Sequence, residues 1–200
     1  MNKYFYMVIF MTDSKSEINE IINQLQDKDP EIRKQAADKM ATISDDNIIM
    51  PLVVALKDEN PQVRFKSAQA LGNVGESAVE PLIKLINQEE GEIRRYATFA
   101  LKKIGSPSAV EYFIKALNDD DWGVRKVAGR SLGELGDKKA LEPLIDALDD
   151  DDWGVKLAVV RSLGDMGDEN AVDPIKKARR KEKDKDFKKA ANKALKKIQK

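Results

Sequence analysis

Apolar residues recur along the chain at spacings that predict a series of similar helices. In each copy a hydrophobic residue is followed by a basic one, and further apolar residues stand eight and eleven positions after the hydrophobic one. Steps of eight and three return to one face of an α-helix, so each copy is predicted to hold an amphipathic helix of about four turns. The hydrophobic and basic pairs are Ile32-Arg33, Val63-Arg64, Ile93-Arg94, Val124-Arg125, Val155-Lys156 and Phe187-Lys188.

Prolines predict a second, shorter helix before each of the long ones. Pro51, Pro81, Pro143 and Pro174 each lie among apolar residues, and proline is tolerated in the first turn of a helix. Glycines follow the long helices, at Gly75, Gly105, Gly136 and Gly167, where a left-handed residue ends a helix most easily. Gly72, Gly133 and Gly164 fall inside the long helices, and we expect them to allow close approach to a neighbouring helix.

Two segments are nearly identical and reveal the repeat directly. DDDWGVRKVAGRSLGELG begins at Asp119, and DDDWGVKLAVVRSLGDMG begins at Asp150. A fixed period of about 31 residues is typical of stacked-repeat proteins, in which each unit buries its apolar side against its neighbours. The chain is therefore predicted to be all-α, a right-handed α-solenoid of about six helical hairpins in one domain over 14–200. The predicted repeats are 14–44, 45–75, 76–105, 106–136, 137–167 and 168–200.

The amino-acid composition excludes several kinds of catalytic and metal-binding site. The chain has no cysteine and no histidine, which excludes disulfides, cysteine nucleophiles, Ser-His-Asp triads and histidine-ligated metals. Neither a cofactor nor a metal is expected. Residues 1–13 form an apolar extension that is too short to cross a bilayer and lacks a signal cleavage site. We expect a cytoplasmic protein that does not bind membranes.

The net charge is zero, but the charge is distributed unevenly. Residues 176–200 carry +10 and the rest of the chain −10. The basic end could contact nucleic acid or form a lysine-rich cap on the last repeat, and the interspersed Glu182, Asp184 and Asp186 favour the cap.

In four repeats an aspartate stands six residues before the basic residue, and these aspartates form a column at Asp27, Asp58, Asp119 and Asp150. The third repeat has Gln88 at this position instead. Proline in the first helix, aspartate in the turn and arginine in the second helix together resemble the HEAT repeat family, in particular its short-unit branch named after phycobilisome lyase subunits. The resemblance implies a ladder of ion pairs joining successive units. Its members would be Asp27, Arg33, Asp58, Arg64, Arg94, Asp119, Arg125, Asp150 and Lys156.

A metal or catalytic site is the alternative interpretation of the clusters Asp119 to Asp121 and Asp149 to Asp152. They lack the alternating ligands and central glycine of a calcium loop. Helix capping and ladder pairing are the better interpretation.

The second helices are expected to line a concave face that contacts a partner. Aromatic and basic residues, which are enriched where a few contacts dominate binding, stand on the predicted outward positions of these helices. The alternative for each tryptophan is packing between repeats at a helix start. The candidate binding residues are Phe65, Gln69, Arg95, Tyr96, Phe99, Trp122, Lys126, Arg130, Trp153, Leu157, Arg161 and Lys193.

These observations favour a non-enzymatic scaffold, a monomer that binds a protein or peptide. One alternative, implied by the family resemblance, is a lyase-type or chaperone-like accessory subunit. The other is a nucleic-acid-binding protein that uses the basic C-terminal repeat.

Overall fold

The computed structural model describes residues 15–89 and 91–200, and the regular structure of these residues is entirely helical. Helices alternate between short and long as the apolar spacing predicts. In chain order they are α1 (15–24), α2 (Pro30–Met40), α3 (Ile49–Ala55), α4 (Pro61–Val74), α5 (Val79–Ile86), α6 (Gly91–Ile104), α7 (Val110–Ala116), α8 (Trp122–Leu135), α9 (Leu141–Asp146), α10 (Trp153–Met166), α11 (Val172–Lys181) and α12 (Lys185–Ile198).

Acidic and amide side chains fix where the long helices begin. Asp29, Asn60, Asp121, Asp152 and Asp184 each accept a hydrogen bond from a backbone N–H of the first turn. Such caps satisfy donors that have no partner within the helix.

The short helices begin differently from the prediction. Each of α3, α5, α7, α9 and α11 is preceded by one turn of 3₁₀-helix, such as Asp46–Ile48 before α3. Asp45, Ser106, Asp137 and Asp168 cap four of these turns. The proline of α3, α5, α9 and α11 therefore lies at the third α-helical position rather than at the start of the whole segment.

The chain forms two compact units, Met1–Ile104 and Gly105–Lys200. In the first, α4 packs between α2 and α6, and the short helices α3 and α5 pack on α4 and α6. Its core contains the apolar column of the long helices, with Met40, Leu71 and Leu101 fully buried. The residues of this hydrophobic pattern thus form the contacts between successive hairpins of the unit.

In the second unit, α10 lies between α8 and α12, with α7 against α8 and α11 against α12. Phe113, Leu132, Leu163 and Phe187 are fully buried. A Cβ placed on Gly164 would lie 2.6 Å from the Cα of Ala194 on α12. The predicted close approach is therefore present between these two helices.

The glycines after the long helices have the positive φ that the sequence predicts. Gly136 and Gly167 adopt the left-handed helical conformation, with φ of 66° and 71°. Gly75 differs, because its φ of 90° is combined with a ψ of −145°, outside that region.

The predicted class, an all-α solenoid of HEAT-like hairpins, is confirmed. The expectations for the extension 1–13 lie outside the described residues. Among the described residues, no helix is long and apolar enough to span a bilayer.

Candidate functional site

The predicted binding residues of the second unit lie on the exposed side of α8, α10 and α12. Trp122 and Trp153, each the first residue of its helix, are 47% and 44% exposed. Lys126, Arg130, Arg161 and Lys193 are exposed on the same helices. Exposed tryptophan is uncommon on a protein surface that binds nothing.

Leu157 departs from the prediction that it would be exposed. Only 9% of its surface is accessible, because it lies one turn after Trp153 on α10 and packs at the bottom of two surface pockets. It contributes an apolar floor rather than a projecting side chain.

The first pocket lies between α10 and α12 and has a volume of about 440 Å³. Trp153, Leu157 and Ala190 supply apolar surface, whereas Arg161, Lys189 and Lys193 supply positive charge. The carboxylates of Asp165 and Asp186 also line it.

The second pocket lies between α8 and α10 and measures about 330 Å³. Trp153, Leu157 and Arg161 line it from the α10 side, and Lys126 and Arg130 from the α8 side. The same three residues of α10 thus form a wall of both pockets. They stand four residues apart, so they share one face of the helix.

Several cations of this surface have no ion-pair partner. Arg130 bonds Glu134 at 3.0 Å, and Lys197 pairs with Asp165. Arg161, Lys189 and Lys193 form no ion pair or hydrogen bond with any described residue. Charged side chains without an ion-pair partner at a surface pocket are available to a ligand.

Each tryptophan is also in contact with its own protein. The ammonium nitrogen of Lys126 lies 5.6 Å from the centroid of the Trp122 ring, a cation–π distance. The backbone N–H of Phe187 and the indole of Trp153 both lower the pKa of Asp184, the residue that caps α12. Trp153 therefore packs at a helix start and is also exposed to solvent, and its contact with a ligand stays a prediction.

The predicted face of the first unit is aromatic rather than basic. The rings of Phe65 on α4 and Phe99 on α6 lie 5.8 Å apart. The guanidinium of Arg64 lies 5.3 Å from the centroid of the Tyr96 ring. Arg95 is exposed. Gln69 is half-buried, and its backbone carbonyl oxygen accepts from the side chain of Lys103 at 3.3 Å.

The ladder residues form bidentate ion pairs within each unit. Arg33 donates to both carboxylate oxygens of Asp58, at 2.7 and 2.9 Å. Its Nη1 also donates to the backbone carbonyl of Asp27 at 2.9 Å. Arg125 binds Asp150 in the same way, at 2.7 and 3.0 Å. Bidentate pairs between a guanidinium and a carboxylate are strong and directional.

These contacts change the titration of the groups involved. Burial opposes ionisation of Asp58, but hydrogen bonds from Arg33 and from the backbone N–H of Asn60 outweigh burial and lower its pKa. The hydrogen bond to Asp150 raises the pKa of Arg125. Asp27 and Asp119 use their carboxylates to accept from the backbone N–H two residues on.

The ion pair of the ladder differs at the repeat in which Gln88 replaces the aspartate. Arg64 donates to Glu92 at 2.5 Å instead of to an aspartate, and this carboxylate is 64% exposed. Arg94, the next basic residue of the column, lies half-buried near the start of α6.

The last rung uses a residue that sequence reasoning missed. Lys156 donates to Glu182 at 2.8 Å, and Glu182 stands six residues before Lys188, in the position of the aspartate column. Bonds from Lys156 and from the backbone N–H groups of Asp184 and Lys183 lower the pKa of Glu182 to about 2. The spacing of six residues is that of the aspartate column, but the residue here is glutamate.

The acidic clusters are used for capping and pairing. Asp121 accepts from Gly123 and Val124, and Asp152 from Val155. Among the described residues, no group of three or more acidic side chains is arranged to hold a metal ion.

Stacked helical hairpins define an α-solenoid repeat protein. The sequence model of the HEAT repeat family matches residues 18–89, 79–152 and 113–196. The chain belongs to this family.

Solved structures have the same fold. The complex of CpcE and CpcF of phycocyanin lyase from Nostoc sp. PCC7120 is 24% identical, with a TM-score of 0.68 over 75% of this chain and 99% of that one. A designed armadillo repeat protein in complex with the peptide (KR)4 is 21% identical, with a TM-score of 0.62 over 91% and 99%. Computationally designed armadillo repeat proteins for modular peptide recognition are 20% identical, with a TM-score of 0.58 over 90% and 98%. A search of curated proteins gave no significant match.

Proposed function

We propose that this protein is a non-enzymatic interaction module that binds a protein or peptide along the exposed side of its second helices. One observation carries the proposal. Two half-exposed tryptophans stand on adjacent helices beside the cations Lys126, Arg130 and Arg161. Aromatic and arginine side chains supply most of the binding energy at protein interfaces.

The similar structures support a peptide or protein as the partner. One of the designed armadillo proteins is bound to a peptide, and others were designed for modular peptide recognition. CpcE and CpcF form a complex with each other. A repeat scaffold presents a long surface of this kind without needing an enclosed pocket.

The carboxylates support a binding role rather than catalysis by this chain. Asp58 and Asp150 are held by arginine, and Asp121 and Asp152 cap helices. We further propose a cytoplasmic monomer, because the candidate face is complete within one chain.

The double variant Trp122→Ala with Arg130→Ala tests the proposal. A random peptide library displayed on phage would be selected on the wild-type protein, and the enriched peptides would be measured on the variant. We expect at least about tenfold weaker binding, since each removed residue type commonly contributes 1–2 kcal/mol or more at an interface.

A matched control replaces one apolar and one basic residue elsewhere. Met50 and Lys138 are exposed on the short-helix side of their hairpins, so Met50→Ala with Lys138→Ala should bind the same peptides as tightly as the wild type. Circular dichroism should show equal helical content in all three proteins. Failure to enrich any peptide, or equal binding by both double variants, would contradict the proposed function.

A further inference from the structure

The two pockets on either side of α10 each combine apolar side chains with basic side chains. This combination restricts the kind of ligand that can bind there. Trp153 and Leu157 form an apolar side common to both. Arg161 faces both, and it is joined by Lys189 and Lys193 on the α12 side and by Lys126 on the α8 side. A ligand that spans α10 therefore meets one apolar surface, formed by Trp153 and Leu157, with positive charge on either side of it.

The charge of this surface calls for an anionic ligand. Arg161, Lys189 and Lys193 have no acidic partner among the described residues, whereas Asp165 is already paired with Lys197, and Glu134 with Arg130. Asp186 is the carboxylate of the pocket that remains without such a pair. A (KR)4 peptide, which the designed armadillo protein binds, would be repelled here.

The distance between the pockets selects the conformation of the ligand. Packed helices lie about 8–10 Å apart, so the two pockets are separated by a similar distance. In a β-strand, residues on the same side are about 7 Å or about 13 Å apart, and neither value fits. In a polyproline II helix, every third residue returns to the same side after about 9 Å.

The exposed indole favours the same conformation. Segments in the polyproline II conformation bind grooves lined by aromatic rings, and they lose little conformational entropy on binding. Trp153 lies between the two pockets, where the residues between two successive acidic positions would pack.

We infer that the second unit binds an acidic peptide segment in the polyproline II conformation, with carboxylates at every third residue. One carboxylate contacts Arg161 with Lys189 and Lys193, and the next contacts Lys126 beside Arg161. The intervening apolar residues pack on Trp153. This inference rests on the proposed function and specifies its ligand.

Fluorescence anisotropy with dye-labelled peptides tests the inference on the full-length protein. The probe is a peptide of repeated Glu-Pro-Pro triplets. Controls of the same length carry Gln-Pro-Pro triplets, Lys-Pro-Pro triplets, or the same number of glutamates at every fourth position. We expect the Glu-Pro-Pro peptide to bind at least about tenfold more tightly than each control, because charge-assisted contacts contribute more than neutral ones.

The variant Arg161→Glu should weaken binding of the Glu-Pro-Pro peptide by about tenfold or more and should increase binding of the Lys-Pro-Pro peptide. Arg161 is exposed and unpaired among the described residues, so this change should leave thermal unfolding unaltered. Lys138→Glu is the matched control, since it changes the net charge equally away from the pockets and should leave peptide binding unchanged.

Three results would overturn the inference. They are equal binding of the Glu-Pro-Pro and Gln-Pro-Pro peptides, equal effects of Arg161→Glu and Lys138→Glu, and tighter binding of a single-stranded oligonucleotide than of the acidic peptide. The phage selection separates this failure from that of the proposed function. If the enriched peptides contain no acidic residues, the proposed function stands and only the inference of an acidic ligand is rejected. If no peptide is enriched, both the proposed function and this inference are rejected.

Discussion

At the scale of single residues, the ladder couples successive hairpins within each unit through a carboxylate that accepts from a basic side chain. Glu182 is the clearest example, because Lys156 and two backbone amides all donate to it. Each of these bonds is stronger when the carboxylate is ionised. The stability of the last hairpin is therefore linked to pH.

We predict that Glu182→Gln removes an acid-dependent part of the stability. The pKa of Glu182 is lowered from 4.5 to about 2 by folding, so its contribution is complete above pH 4.5 and is lost as the pH falls toward 2. Urea unfolding should show the variant to be less stable than the wild type at neutral pH, with a difference that shrinks over this range.

Glu142→Gln is the matched control, because Glu142 is an exposed carboxylate on α9. It should unfold like the wild type at every pH. A difference between wild type and Glu182→Gln that stays constant between neutral pH and pH 2 would show that the charge of Glu182 is not involved.

The sequence predicted the ion pairs between arginine and aspartate, but it did not predict the two pairs in which a glutamate is the acceptor. Arg33 with Asp58 and Arg125 with Asp150 follow from regular spacing alone. Glu92 could not be found in this way, because the partner of Arg64 is whichever carboxylate the tertiary structure brings within reach once position 88 is glutamine.

At the scale of helices, packing between successive long helices depends on the absence of side chains. A Cβ on Gly133 would lie 2.6 Å from the Cα of Ser162, and one on Gly164 the same distance from the Cα of Ala194. Both obstacles are backbone atoms, which cannot move aside as a flexible side chain can.

We predict that Gly164→Ala destabilises the protein despite the better helix propensity of alanine. Alanine favours a helix by about 1 kcal/mol over glycine, but the clash with α12 should cost more than that gain. The expected net loss is about 1–2 kcal/mol of unfolding free energy, measured by urea unfolding.

Gly154→Ala in the same helix is the comparison. The nearest atom to its added Cβ is the carboxylate oxygen of Asp152 that caps α10, at 3.1 Å, and a side chain can adjust by a few tenths of an ångström where a backbone atom cannot. This variant should lose much less stability than Gly164→Ala. If Gly164→Ala were equally well tolerated, close contact between α10 and α12 would not require glycine.

The helices themselves were predictable to different degrees. The long ones follow the sequence closely, because a long amphipathic pattern ended by a cap and a glycine is unambiguous. The short ones were predicted without their initial 3₁₀ turns, since local apolar spacing does not distinguish the two helix types over one turn. The burial of Leu157 depends on how α10 packs between its neighbours, which no local pattern specifies.

At the scale of the whole molecule, the long helices within each compact unit contact their neighbours in chain order. Within the first unit α4 contacts α2 and α6, and within the second α10 contacts α8 and α12. Stability in such a stack is close to a sum of local terms.

We predict that Asp58→Ala weakens the first unit locally. The variant leaves Arg33, whose side chain is 8% exposed, without its main carboxylate partner, and we expect a loss of about 3 kcal/mol in unfolding free energy. Native-state hydrogen exchange should accelerate in α2 to α4 and remain unchanged in α10 to α12.

Lys139→Ala removes an exposed ion pair with Glu111 and should not change exchange rates in the long helices. Uniformly faster exchange across the chain in Asp58→Ala would indicate global cooperativity and contradict a stack of locally coupled hairpins.

The near-identity of the segments that begin at Asp119 and Asp150 has an evolutionary consequence. Because α8 and α10 carry tryptophan at the same first position, copying one hairpin within the gene would add another helix of the same kind. On the binding mode we propose, each such duplication would add one pocket and lengthen the recognised segment by about one polyproline II turn, or three residues. Ligand length could thus change in whole steps through recombination, while the chemistry of each step stayed the same.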